Sequence, residues 1–126
     1  MNVRVLVVDD TDHVRRMLAE MLELDGFDVV GQSASGVEAV TLAQEVSPDV
    51  VVMDYKMPGM DGLEASKNIK ANRPDQAIVL YTAYLDPELE IQAKEAGVAM
   101  CVGKIEGLNQ LERHITELTR DLGRAV

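Results

Sequence analysis

The chain opens with an apolar, mostly β-branched run, Val3-Arg4-Val5-Leu6-Val7-Val8, that halts at Asp9-Asp10. This pattern predicts a buried strand delivering a loop. Thr11 or Asp12 is placed to cap a helix whose inward positions read as Val14, Met17, Leu18, Met21 and Leu22, with Gly26 closing it. Phe27 to Gly31 predicts a shorter second strand. Ser35 or Gly36 opens a second helix through Val37, Ala39, Val40, Leu42 and Ala43, and Pro48 ends that segment. Asp49-Val50-Val51-Val52-Met53 is the most strand-like run in the chain, and it leads directly to Asp54.

A loop from Tyr55 to Gly62 precedes a helix over Leu63 to Ala71, which Pro74 follows. Ala77 to Tyr81 predicts a fourth strand ending at Thr82. Asp86-Pro87 starts a helix that Gly97 ends, since proline is tolerated in a first turn. Val98 to Gly103 predicts a weaker fifth strand leading to Lys104. A final helix over Leu108 to Leu122 carries Leu108, Leu111, Ile115, Leu118 and Leu122 on one face. Strict alternation of strands and helices, with strands apolar on both faces, predicts a parallel, doubly wound α/β sheet. Gly123–Val126 reads as a frayed tail.

At 126 residues there is room for one ordinary domain, here taken as residues 1–122. A net charge of −10 opposes contact with phosphate backbones, so direct nucleic-acid binding is not expected. Aromatic residues make up only 3% and tryptophan is absent, which removes base stacking as a binding mode and makes the core aliphatic. The apolar runs reach about six residues, far below the roughly 20 needed to span a bilayer. Acids follow Val8 at once, so no secretion leader is expected. The single Cys101 cannot form an internal disulfide; with the lack of a leader, the expectation is a cytoplasmic protein and a thiol acting as a small buried hydrophobe.

In an open parallel sheet, the carboxyl ends of the strands share one edge. That edge gathers Asp9, Asp10, Asp54, Thr82 and Lys104, although they are scattered in sequence. Three carboxylates in one crevice repel; two charges about 4 Å apart cost on the order of 4 kcal/mol at an effective dielectric of 20. A divalent cation with hard oxygen ligands relieves this, so the cluster suits Mg²⁺, with Mn²⁺ as a substitute. A carboxylate beside Mg²⁺, a hydroxyl and an ammonium is equipped for phosphoryl transfer, with Asp54 as the nucleophile that becomes an acyl phosphate.

Over nearly its whole length the chain resembles the receiver domain of bacterial two-component response regulators. The resemblance rests on Val7-Val8-Asp9-Asp10, on Met53-Asp54-Tyr55-Lys56-Met57-Pro58-Gly59-Met60-Asp61-Gly62, on Tyr81-Thr82-Ala83 and on Gly103-Lys104. It implies a flavodoxin-like sheet of strand order 2-1-3-4-5. It also implies that Asp54 takes a phosphoryl group from a sensor histidine kinase or a histidine phosphotransfer protein. Asp10 then ligates Mg²⁺ directly, Asp9 through a water, and the Lys56 backbone carbonyl adds a ligand. Lys104 pairs with the carboxylate or phosphate, and Thr82 turns inward to report phosphorylation. Output follows through the surface of the fourth helix, fifth strand and fifth helix, as a protein target or a homodimer. Such a domain signals rather than turning over a substrate, beyond its own phosphorylation and slow dephosphorylation.

Two departures bear on output: Ile105 stands where the family usually has proline after the lysine, and Cys101 where it usually has an aromatic switch residue. Lys56 and Tyr84, two positions after Asp54 and Thr82, flank the path of attacking water in the family, and their bulk implies a long-lived phosphoryl group. The methionines read mostly as core filler or loop packing; for Met57 and Met60 the alternative is an exposed kinase-docking patch. Asp61 and Gly62 are expected to be structural, and His13 and His114 to lie on the surface. The competing reading is a small phosphatase of the haloacid-dehalogenase type, with Asp10 as nucleophile and Asp12 as general acid. It leaves Asp54 and its loop without a role. A flavodoxin-like cofactor binder shares the architecture, but Asp9-Asp10 would repel a nucleotide phosphate.

Overall fold

The computed structural model describes residues 2–120. Its elements alternate as β1 (Arg4–Val8), α1 (Asp12–Leu24), β2 (Asp28–Ser33), α2 (Gly36–Val46), β3 (Val50–Met53), α3 (Gly62–Asn72), β4 (Ala77–Thr82), α4 (Pro87–Glu95), β5 (Met100–Gly103), a 3₁₀ turn (Lys104–Glu106) and α5 (Leu108–Leu118). All strand pairs are parallel and the order is β2-β1-β3-β4-β5. This is the doubly wound sheet that the alternating pattern predicts.

The period-two alternation of side chains divides the core cleanly. Leu6, Val8, Val51, Met53, Ile78 and Leu80 face α2, α3 and α4, meeting Ala39, Ala43, Ile69 and Leu89. Val5, Val7, Val50, Val52, Val79 and Tyr81 face α1 and α5, meeting Leu18, Leu22, Leu111 and Ile115. No helix among the described residues is long and apolar enough to cross a membrane.

Helix starts follow the capping residues. Ser35 Oγ accepts the Glu38 N–H, Asp61 Oδ1 the Glu64 N–H and Asp86 Oδ1 the Leu89 N–H. Thr11 holds the cap position of α1, but its side chain makes no cap hydrogen bond. Gly26 and Gly97 take positive φ after α1 and α4.

Several boundaries and faces differ from the sequence reading. β2 begins one residue later than expected and runs on to Ser33, because its ladder with β1 continues through Val8↔Ser33. β5 begins at Met100 rather than Val98, which is already buried below the strand. α5 ends at Leu118 with Thr119 as its C-cap, short of the expected Leu122; residues 121–122 of that expectation and the tail at 123–126 lie outside the described residues. On α1 the buried stripe is Arg15, Leu18, Ala19 and Leu22, while Met17 and Met21 point outward at 54% and 42% exposure. The stripe keeps helical spacing but is rotated, because Arg15 turns inward toward the end of β1.

Gly62 fixes the entry to α3. Its N–H donates to the Tyr55 carbonyl at 2.7 Å, and a Cβ there would run into the Asp54 carbonyl oxygen. The loop after β3 is therefore folded back tightly against the residue that ends it. Gly62→Ala is expected to destabilise the fold by about 1–3 kcal/mol through overpacking, read as a lower urea midpoint at unchanged slope.

Candidate functional site

β1 and β3 are neighbours in the sheet, but their following helices pack on opposite faces. Chain segments diverge there, and a crevice opens at the strand ends. Val8 pairs with Met53, so Asp9 and Asp54 leave adjacent strands side by side. The Asp54 N–H donates to the Val8 carbonyl and the Asp9 N–H to the Ser33 carbonyl, both at 3.0 Å. These bonds carry the ladder one residue past each strand and hold both carboxylates at the sheet edge.

Asp9, Asp10 and Asp54 each offer a carboxylate oxygen, and these oxygens lie within 4.8 Å of one another. Asp9 is buried at 2% exposure, and the Asp54 side chain is 12% exposed. Asp9 Oδ1 accepts the Thr11 N–H at 2.9 Å, and Asp54 Oδ1 accepts the Tyr55 N–H at 2.8 Å. The remaining oxygens share one ammonium. Lys104 Nζ donates to Asp9 Oδ2 at 3.0 Å and to Asp54 Oδ2 at 3.4 Å. A single cation thus bridges two carboxylates from different strands, leaving the three-carboxylate cluster with excess negative charge. That donor set, all hard oxygen and close together, fits Mg²⁺.

The electrostatics agree. Burial pushes the Asp54 carboxyl above the usual carboxylate range; Lys104 opposes the rise, the Asp9 charge adds to it, and the Tyr55 N–H lowers it. Burial pulls the Lys104 ammonium down, but its bonds and charges with Asp9 and Asp54 outweigh this and hold it above its ordinary value. Thr82 is fully buried at the end of β4, and its Oγ1 accepts the Tyr84 N–H at 3.2 Å. Lys56 Nζ stands 4.5 Å from the centre of the Tyr84 ring, so the loops after β3 and β4 touch beside the cluster. A groove of about 520 Å³ runs alongside, between this contact and the start of α4.

The sheet edge therefore collects Asp9, Asp10, Asp54, Thr82 and Lys104, with Lys56 and Tyr84 at its margin. Cys101 is partly buried and packs with the cluster beneath α2, α3 and α4; burial, with Glu90 adding, pushes its thiol up and keeps it neutral. Met57 is buried at 7% exposure and Met60 is only partly exposed, which agrees with the reading as loop packing and not with the alternative of an exposed docking patch. Met57 packs under the loop because the tight return to Gly62 turns the loop inward. His13 is exposed, as expected, whereas His114 is partly covered on α5.

Arg15 was not among the residues singled out from the sequence. Buried on α1, it donates from Nη1 to the Asp9 carbonyl at 3.0 Å and to Asp12 Oδ1 at 2.8 Å, bracing the loop that carries Asp9 and Asp10. Its spacing with Leu18, Ala19 and Leu22 was the available signal.

The phosphatase reading is not supported. Asp12, its proposed general acid, has a side chain 63% exposed and engaged with Arg15. After Lys104 the described residues form a turn and one helix, with no further strand to bring a second acidic pair.

The model of the response regulator receiver domain matches residues 5–116. The response regulator GacA of Pseudomonas protegens is 42% identical over 114 residues, covering 90% of this chain and 54% of GacA. The transcriptional regulatory protein LiaR of Bacillus subtilis is 43% identical over 96 residues, covering 75% of this chain and 46% of LiaR. The chain thus spans about half the length of these curated relatives. A LuxR-family two-component response regulator from Aurantimonas superposes with a TM-score of 0.84 at 30% identity, covering 98% of this chain and 88% of that one. Fold, strand-end residues and sequence agree that the chain belongs to the response regulator receiver domain family.

Proposed function

We propose that Asp54 is the phosphoacceptor of this receiver domain, taking a phosphoryl group from a phosphohistidine on a sensor kinase or a histidine phosphotransfer protein. The observation that carries this reading is the shared ammonium: Lys104 holds Asp9 and Asp54 together at 3.0 and 3.4 Å, in a pocket with excess carboxylate charge. Asp9, Asp10, Asp54 and the Lys56 carbonyl would hold Mg²⁺, or Mn²⁺ in its place. When bound, the ion supplies positive charge against the phosphoryl oxygens. Asp54 Oδ attacks phosphorus as the bond to the donor nitrogen breaks, and the histidine leaves neutral after taking a proton. Lys104 then transfers its contact from the carboxylate to the phosphoryl group, and the Thr82 hydroxyl donates to another of its oxygens. The activity is that of a signalling domain, which catalyses its own modification and its slow reversal.

The partners proposed are protein partners. Met17, Met21 and Leu24 leave an exposed apolar stripe along α1, which starts at the pocket loop, and Ile105, next to Lys104, is 98% exposed. We offer this stripe, with Ile105 beside Lys104, as the kinase-facing surface, although Leu24 closes α1 at the end away from the pocket. Added phosphoryl charge then biases the α4–β5–α5 face toward a downstream protein or a second copy of the chain, by population shift. Cys101 removes the usual ring from that coupling, which leaves Thr82 to act through the loop it shares with Tyr84. A cytoplasmic location and no direct contact of this region with nucleic acid complete the reading.

Incubation with acetyl phosphate and Mg²⁺ is expected to add the mass of one phosphoryl group to the wild type and none to Asp54→Asn, read by intact mass spectrometry. Equal modification of both proteins would contradict the assignment. The Lys56–Tyr84 contact obstructs attacking water, so Tyr84→Ala is expected to shorten the phosphoryl lifetime about two- to five-fold, the rate effect of one exposed cation–π contact. Decay of the phosphorylated band after donor removal measures it.

A further inference from the structure

Lys104 stands in a segment that its neighbours leave loose. Gly103 precedes it and Gly107 follows at a φ of 88°, so glycines, which restrict the backbone least, stand at both ends of Gly103-Lys104-Ile105-Glu106-Gly107. β5 is the edge strand, so past its last residue only β4 is at hand to receive main-chain groups. Lysine itself carries a long, rotamer-rich side chain that is costly to order. Yet its ammonium must meet Asp9 and Asp54 at once.

Two bonds close this segment into a 3₁₀ turn. The Gly107 N–H donates to the Lys104 carbonyl at 3.1 Å. The Glu106 side chain reaches back, and its Oε2 accepts the Gly103 N–H at 2.8 Å. This second bond is half of a capping box, with a charged acceptor on a main-chain donor; glycine at 103 has no side chain to supply the other half. A Cβ on Gly103 would stand 3.4 Å from the same Glu106 oxygen, so the carboxylate lies snugly over that glycine. The two clamps sit on either side of Lys104.

We infer that Glu106 is a positioning residue for the phosphoryl-transfer site: its carboxylate, bonded to the Gly103 amide, fixes the main chain from which Lys104 reaches Asp9 and Asp54. The inference rests on the reading of Asp54 as phosphoacceptor. Glu106 acts through the main chain and not on the reacting atoms. A lost clamp therefore frees the lysine without removing its charge, and leaves the carboxylates that would bind the metal where they are.

The test compares wild type, Glu106→Ala and Glu106→Gln in the intact chain; the Gln carbonyl retains an acceptor at the same reach. Three quantities are measured: the rate of phosphorylation by acetyl phosphate, the affinity for Mg²⁺ alone, and the affinity for beryllofluoride in saturating Mg²⁺. The expected result for Glu106→Ala is about a five-fold loss in phosphorylation rate and in beryllofluoride affinity, the factor a hydrogen bond of typical net strength supplies, with Mg²⁺ affinity not lowered. Glu106→Gln is expected within about two-fold of wild type, because a neutral acceptor still closes the turn. A lower melting temperature in Glu106→Ala with phosphorylation and beryllofluoride binding at wild-type levels would show a turn-stabilising role only and overturn the inference. Equal losses in the Ala and Gln variants would also overturn it, since charge rather than positioning would then be responsible. A wild type that takes no phosphoryl group overturns the reading of Asp54 itself, and this inference with it.

Discussion

The site depends on like charges being held together against their repulsion. Asp9 and Asp54 emerge from neighbouring strands whose spacing is set by backbone hydrogen bonds, so neither can retreat without breaking the ladder that continues past Val8 and Met53. Lys104 offsets part of the repulsion by bridging both. What it leaves is a buried carboxylate, Asp54, held above its ordinary pKa by desolvation, with the Asp9 charge adding to the rise. A polar cluster arranged in this way is poor for stability and well suited to capturing a divalent cation and an incoming phosphoryl group.

The rest of the fold maintains that arrangement. Aliphatic layers on both sheet faces make the strands rigid supports. Gly62 brings the loop after β3 back against Asp54, Arg15 holds the Asp9 carbonyl from below, and Asp61 starts α3 at the right place. The Met57-to-Gly62 stretch thus serves the site through its backbone path. Met57, buried beneath the loop, illustrates this most directly.

Strand alternation and the polar residues at strand ends were legible in the sequence because they follow from local patterning and topology. Apolar runs ending in Asp54, Thr82 and Lys104 need little tertiary information to interpret. The rotated face of α1 was not legible: Met17 and Met21 resemble core residues by hydrophobicity, and only the inward bond of Arg15 to the Asp9 carbonyl decides which stripe is buried. The start of β5 and the fate of Met57 were likewise set by packing between distant segments. Glu106 gave no signal beyond its three-residue distance from Gly103, since a capping interaction on a short turn becomes visible only once the turn exists.

The central claim, that the fold gathers Asp9, Asp10 and Asp54 into one divalent-cation site, is tested most directly by adding substoichiometric Mn²⁺ to isotopically labelled protein and following paramagnetic broadening of its amide resonances. The account predicts selective loss of signals from residues 9–11, 54–56 and 103–105, reversed by excess Mg²⁺, while the C-terminal ends of α2 and α5 stay sharp. Broadening centred on Glu20 and Glu23 of α1, with the strand-end amides unaffected, would contradict it.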